Sequence, residues 1–431
     1  MIKRFIIGLL VLSTTAIVAQ SNSASPYSYF GIGENFDPLT VEQSSMGGIG
    51  VALKDTYHLN FTNPAANADL RYATYAIGGS LTFLNLKESN SSQSGNSTSL
   101  RYVSLGFPIG KKAGFSVGLQ PFSSVGYSLL NRVYDGDNIK ELTRFTGIGG
   151  TNRLYASFGT YLFDGFSVGV EVGFIFGSLQ NDILNQVQGT MLGTKHQEKL
   201  NLRGGQFKFG AQYKKELKNK LQLYTGAAVT FDSDLSANGA ERMYSLSIAT
   251  SGAEQVRKIL YDKSISGNLT MPFKTVFGVG LGKVNKWYVG INQEYKDAVV
   301  SSQGINVIGN SQAFRYERGS KFSIGGYYLP KLNSISSYWD RVTYRGGVRF
   351  EKMGVLADGT GTGNNLTSIN DFGINIGFGL PLPKQLSSVN IGFEYGQRGT
   401  MINNLIKENY FNVKLSLSLN SINWFNKRKI D

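Results

Sequence analysis

From about residue 70 to residue 420 the chain repeats one pattern, a large apolar residue followed by Gly, Ser, Asn or a charge. Phe166, Val168, Val170, Val172, Phe174 and Phe176 alternate with Ser167, Gly169, Glu171 and Gly173; Phe372, Ile374, Ile376, Phe378 and Leu380 alternate with Gly373, Asn375, Gly377 and Gly379. A period of two is the signature of an extended strand with two unlike faces. Fourteen such segments are expected, at roughly 71–87, 98–109, 112–129, 150–163, 165–180, 200–216, 219–234, 271–284, 286–300, 312–329, 339–353, 370–383, 385–399 and 408–420. Several are longer than the roughly 3–10 residues usual in globular sheets. A soluble sandwich would need a second sheet to seal every apolar face.

The connections alternate in length. Gly110 and Lys111, Asp164 and Gly165, Leu217 and Lys218, Asn285, and Lys384 join strands as tight turns, whereas 130–149, 181–199, 235–270 and 354–369 are longer and rich in Asn, Ser, Gly and Asp. An even number of strands, short turns at one end and long polar loops at the other describe an all-β, fourteen-stranded antiparallel transmembrane β-barrel. Lipid offers no water to unpaired backbone groups, so a sheet can span it only by closing on itself. The expected location is the outer membrane of a Gram-negative cell, with outer-membrane lipids around the barrel and both termini periplasmic.

Residues Met1 to Gln20 agree with export. Lys3 and Arg4 precede an apolar run from Phe5 to Val18, and Ala19 offers a cleavage point, which together read as a signal peptide over 1–19. The further division is an N-terminal plug over 20–70, the barrel over 71–420 and a periplasmic tail over 421–431.

Composition narrows the chemistry. With no Cys and two His, His58 and His196, the chain has no thiolate metal site, disulfide or cysteine nucleophile, and no Ser/His/Asp order reads as a hydrolase. Neither an enzyme nor a cofactor or metal is expected. The net charge of +14 is scattered, apart from Lys427, Arg428 and Lys429, so no nucleic-acid partner is expected. Asp135-Gly-Asp-Asn138 lacks a full calcium ligand set, and Gly359-Thr-Gly-Thr-Gly363 lacks the Lys of a phosphate loop.

If the apolar face meets lipid, the other face lines the lumen. Many of the 53 glycines fall there, among them Gly78, Gly118, Gly169, Gly226, Gly290, Gly377 and Gly379, and such small walls leave a bore. The same alternation puts Glu171, Glu294, Arg341, Arg345, Arg349, Glu394 and Arg398 inside. The run from Trp339 to Arg349 sets three arginines on one strand face at spacing four. They either form a structural ion-pair network with carboxylates such as Glu394, or attract anions and gate. A bore of this size would leak, and the segment 20–70, which mixes aromatics, Gly and turn signals, is the candidate to fill it.

Within that segment Met46, Gly47, Gly48, Ile49, Gly50, Val51 and Ala52 precede Asn63, Pro64, Ala65 and Ala66. In order and in setting these resemble the hatch motifs of the FadL-like family of outer-membrane long-chain fatty acid transporters. The stretch Tyr27-Ser-Tyr-Phe-Gly-Ile-Gly33 and the ending Asn423-Trp-Phe-Asn-Lys-Arg-Lys-Ile-Asp431 resemble versions found in Bacteroidota. The resemblance implies a hatch inside the lumen, with Met46, Gly47, Gly48, Gly50, Asn63, Pro64 and Ala65 as hatch and gating residues. It also implies passive uptake of a small hydrophobic ligand through an opening in the wall beside the hatch. The alternative is a non-transporting FadL-like subunit of a multiprotein outer-membrane secretion or assembly machine, whose partners would be other outer-membrane proteins.

Overall fold

The computed structural model describes residues 23–89, 91–249, 251–301, 314–383 and 387–421. The expected signal peptide, the turn at Lys384, and the tail with Trp424, Phe425 and Lys427 to Lys429 lie outside the described residues. Among the described residues the strand segments make one closed antiparallel sheet of fourteen strands. They are β1 (Ala73–Lys87), β2 (Ser92–Ile109), β3 (Ala113–Asp135), β4 (Asn138–Phe163), β5 (Phe166–Val187) and β6 (Gly193–Glu216). Four interrupted strands follow: β7 (Gln222–Thr230 and Ser233–Ile248), β8 (Glu254–Met271 and Lys274–Lys283), β9 (Trp287–Lys296 and Val300–Ser301) and β10 (Phe314–Tyr316 and Gly319–Tyr328). The barrel ends with β11 (Thr343–Ala357), β12 (Thr367–Pro381), β13 (Ser388–Arg398) and β14 (Lys407–Ser421). It closes where β14 pairs with β1, from Lys407 opposite Lys87 to Ser421 opposite Ala73.

The alternation has the inverted polarity of a barrel in lipid. On β12, Ile374 and Ile376 are 47% and 52% exposed while Asn375 between them is 2% exposed. The tight turns use residues that tolerate a left-handed backbone, Gly110 at φ +61° and Asn285 at φ +56°. Many inward glycines lie under the ring of a neighbouring tyrosine: a Cβ at Gly78 would sit 2.5 Å from the Tyr102 ring, and one at Gly280 or Gly290 would meet Tyr288. This aromatic cover fills the space that a missing side chain would otherwise leave open.

Two expectations are corrected here. The stretches 130–149, 181–199 and 235–270 are largely strand, because β3 and β4 pair out to Asp135 and Asn138 around a turn at Gly136, and β7 and β8 pair out to Ile248 and Glu254. Beyond the membrane the outer face need not be apolar, so the alternation that marks a lipid-facing strand fades while the hydrogen-bond ladder continues. Inside this extension Leu179, Leu200, Leu202, Leu235 and Ile175 make an apolar cluster with Ile32 of the N-terminal segment. Secondly, the strand expected from 339 starts at Thr343; Trp339–Arg341 is a 3₁₀ turn in the connection from β10 to β11. Arg341 is therefore not on a strand face with Arg345 and Arg349.

Replacing Tyr288, 3% exposed over Gly280 and Gly290, by Ala is expected to cost about 3 kcal/mol, as in other buried aromatic truncations. A fall in the temperature of the heat-induced gel-mobility shift of the purified barrel measures it; an unchanged midpoint would contradict the covering role.

Candidate functional site

Residues 23–70 run down the inside of the barrel. Ser25 caps the 3₁₀ turn Pro26–Tyr29 and donates a hydrogen bond to Glu408, while the Tyr27 hydroxyl donates to the Ile406 carbonyl at 2.6 Å. Both acceptors lie at the long-loop end, so the described N-terminal residues begin at the end of the barrel opposite to Ala73 and Ser421. The cause is the buried aromatic run, whose Tyr29 meets Tyr127 at 5.2 Å and whose Phe30 stacks on Phe314 at 4.9 Å.

Lower down, Thr40 and Gln43 form a capping box on the short helix Val41–Ser44. The chain then turns at Gly47 (φ +72°) and Gly48 (φ +87°), where only glycine is comfortable. Here main chain meets main chain: a Cβ at Gly347 would lie 2.3 Å from the Met46 carbonyl carbon, and one at Gly325 2.2 Å from its oxygen. Gly50 fits under the Gln43 amide, and Gly226 accommodates Val51 in the same way. The glycine wall is thus a seat for the plug's backbone.

Asn63 fixes the lower half. It is fully buried, donates to the carbonyls of Val51 (2.8 Å), Ala211 (3.1 Å) and Ala227 (3.2 Å), and caps the 3₁₀ turn Pro64–Asp69 by accepting from the Ala65 amide at 3.0 Å. Pro64 and Ala65 press on Gly159 and Gly169. At the short-turn end the Lys54 ammonium meets Asp69 at 3.2 Å, and His58 bridges Asp55 at 2.9 Å and Ser388 at 3.2 Å.

The inward charges fall into groups. Arg349 meets Glu394 (3.0 Å), Asp371 (3.1 Å) and Glu351 (3.2 Å); Arg398 meets Asp371 (2.8 Å), Glu34 of the plug (3.1 Å) and Glu408 (3.5 Å); Lys414 meets Glu394 at 2.6 Å. Across the lumen Glu171 holds Arg153 (3.1 Å) and Lys208 (2.9 Å), and Lys208 also donates to the plug carbonyl of Phe61 at 3.1 Å. Glu294 is 3.6 Å from Lys321, which is bonded to Asp37 of the plug. Arg345 joins neither network and donates to Asn390 at 3.0 Å. Sequence reasoning missed the plug's own carboxylates, Glu34 and Asp37, because no periodicity marks an irregular segment.

Cavities of about 190, 210 and 130 Å³ remain beside the plug. The first, at the long-loop side, is lined by Glu34, Arg101, Lys321, Arg349, Glu394 and Tyr410 among others. The second lies at the short-turn end around His58, Arg341 and Arg345. The third adjoins Pro121, Phe122 and Pro272. The β2–β3 ladder runs only from Ile109 opposite Ala113 to Val103 opposite Leu119, and β3 then bulges between Pro121 and Ser123. Above that point Glu34–Asn35 of the plug pairs with Ser124 and Ser123. A proline inside a strand is the sequence signal that could have flagged this break.

Comparison with known proteins fits this geometry. A protein-family model described as BamG matches residues 1–431. The toluene transporter TbuX of Ralstonia pickettii is similar in structure at a TM-score of 0.57 and 15% identity, over 90% of this chain and 98% of that one. The Pseudomonas putida toluene transporter TodX gives 0.58 and 14% over 91% and 100%, and a Pseudomonas aeruginosa FadL homologue 0.58 and 12% over 89% and 98%. At these identities the likeness is one of fold. No curated protein sequence matches the chain.

Two outcomes follow from the seating of the plug. Gly347→Val should be destabilising by at least about 1–3 kcal/mol, as overpacking is, and should expose residues 23–70 to trypsin; Gly346→Val, whose Cβ would find its nearest neighbour at 3.8 Å, should do neither. Burial alone would lower the His58 pKa, but the carboxylates of Asp55 and Glu42 hold it above the ordinary 6.5. A raised pKa in the folded state means that the pair's contribution is complete below 6.5 and is lost as pH rises through the raised value. Proteolysis of the plug should increase over that rise in the native barrel and lose this pH dependence in His58→Gln.

Proposed function

The chain belongs to the BamG family, and from that premise we propose that it is a plugged, non-transporting barrel subunit of a multiprotein outer-membrane secretion or assembly machine. The observation that carries the reading is the filling of the lumen. The plug binds the wall backbone to backbone at Gly325 and Gly347, and the cavities beside it are crossed by ion pairs such as Arg349–Glu394 and Lys321–Asp37. An apolar solute moving along such walls would have to displace paired charges and their hydration, at a cost that no hydrophobic contact returns. In this role Met46, Gly47, Gly48, Gly50, Asn63, Pro64 and Ala65 hold the plug in place. Arg398 holds it through Glu34, Glu171 and Glu294 hold the wall lysines Lys208 and Lys321 that bind it, and Arg349 with Glu394 braces the wall alongside. The short turns and the end of β14 face the periplasm, and the partners are outer-membrane lipids and neighbouring outer-membrane proteins.

A second reading, passive uptake of a small hydrophobic molecule, is favoured by one feature, the early end of the β2–β3 ladder at Leu119 beside the break at Pro121. The fold shared with the toluene transporters TbuX and TodX accords with it. An opening there would let an apolar ligand leave sideways into lipid.

Purification under mild detergent from the native membrane, with an epitope inserted in the Gly136 turn, separates the two. The subunit reading expects a stoichiometric companion and no toluene flux into liposomes carrying the barrel alone. A barrel that purifies by itself and speeds toluene entry would overturn it in favour of the channel.

A further inference from the structure

In the cavity at the short-turn end the guanidinium groups lack, among the described residues, the carboxylate partners that Arg349, Arg398 and Arg153 have. Arg349 and Arg398 each meet three carboxylates, and Arg153 meets Glu171. Arg345, 9% exposed, has no carboxylate within ion-pair distance among the described residues; its hydrogen bond goes to the Asn390 side-chain oxygen. Space has been left for it, since a Cβ at Gly379 would sit 2.6 Å from its Nη1. Arg341 lies over the Tyr338 ring at 5.2 Å, and its Nε is buried with no hydrogen-bond partner. Both arginines line the 210 Å³ cavity together with Lys214.

The carboxylates of the same cavity have other partners. Asp69 takes Lys54 at 3.2 Å and Asp55 takes His58 at 2.9 Å. Glu42 accepts from Asn390 at 2.6 Å and stands 3.9 Å from His58, and its second oxygen is buried without a partner. The remaining wall is aliphatic and aromatic, with Leu53, Leu59, Tyr224, Tyr327, Leu329 and Leu332. Turn residues Asn285 and Ser387 at its rim open it toward the short-turn side.

Glu42 and Asp55 attract Arg345 only from beyond ion-pair distance, and the planar fork of arginine matches a carboxylate with two parallel hydrogen bonds. We propose that this cavity binds a carboxylate carried on an apolar peptide segment, Arg345 and Arg341 taking the two oxygens and the tyrosine and leucine walls taking the adjoining side chains. The site goes beyond both functions above, because it concerns the short-turn face and is read as binding to the isolated barrel whichever of them holds.

Calorimetry on the purified full-length barrel tests it with acetyl-Leu-Ala-Tyr-Leu as the free acid, the same peptide as its C-terminal amide, and an amide with Glu in place of Ala. The free acid is expected to bind at least tenfold more tightly than the neutral amide; tight binding of the Glu amide as well would show that the carboxylate can also come from a side chain. Arg345→Gln should weaken binding of the acid tenfold or more. Arg341→Gln, in a turn outside the sheet, should weaken it too, in a barrel whose folding is verified by its heat-induced mobility shift. Equal binding of acid and neutral amide, no binding of any of the peptides, tighter binding of inorganic phosphate than of the acid, or affinity unchanged in both variants would overturn the proposal.

Discussion

A sheet of fourteen strands that closes on itself can span lipid, but it encloses more space than its own inward side chains can occupy. Most of the remaining architecture answers that excess. The wall is thinned with glycines so that a second piece of chain can be brought against it at main-chain distance, as at Gly325 and Gly347 against Met46. Where no plug backbone arrives, a tyrosine folds over the gap instead, as Tyr288 does over Gly280 and Gly290. Thinning of the wall and filling of the lumen are therefore two sides of one solution.

Charge does a related job. The plug carries Glu34, Asp37, Lys54 and Asp69 into contact with Arg398, Lys321, Tyr161 and one another. Isolated in a dry interior these groups would be a liability, and pairing removes it only when plug and wall are both in place. Such interactions add little net stability, yet they penalise any other seating of the plug strongly. Register of the plug against the barrel is thereby set by charge, and its close approach by glycine.

How much of this could be read from residues alone depends on what each segment faces. The lipid-facing portions of β5, β12 and β14 alternate without interruption, because one side is hydrocarbon and the other is not. β5 and its neighbour β6 cease to be legible above the membrane, where Leu179 and Leu200 are buried inward but alternate with Ser178, Gln180, Lys199 and Asn201. The plug segment was marked only by its mix of aromatics, Gly and turn signals and by the resemblance of Met46 to Ala52 and Asn63 to Ala66 to hatch motifs. Its partners Glu34 and Asp37 were not, since a single carboxylate in an irregular stretch carries no pattern. Arg341 was misread because spacing four across Trp339 to Arg349 mimics strand phase, while the local chain makes a 3₁₀ turn before the ladder begins.

Ser25 and Tyr27 are held by Glu408 and Ile406, groups more than 370 residues further along the chain. These two anchors of the segment become available only once the last strand has been inserted. Tyr29 meets Tyr127 and Phe145 on β3 and β4, whereas Tyr27 finds its Ile406 partner only when the last strand arrives. Contacts between such distant parts of a chain form slowly. Final docking of this end thus reports that the circle of strands is complete.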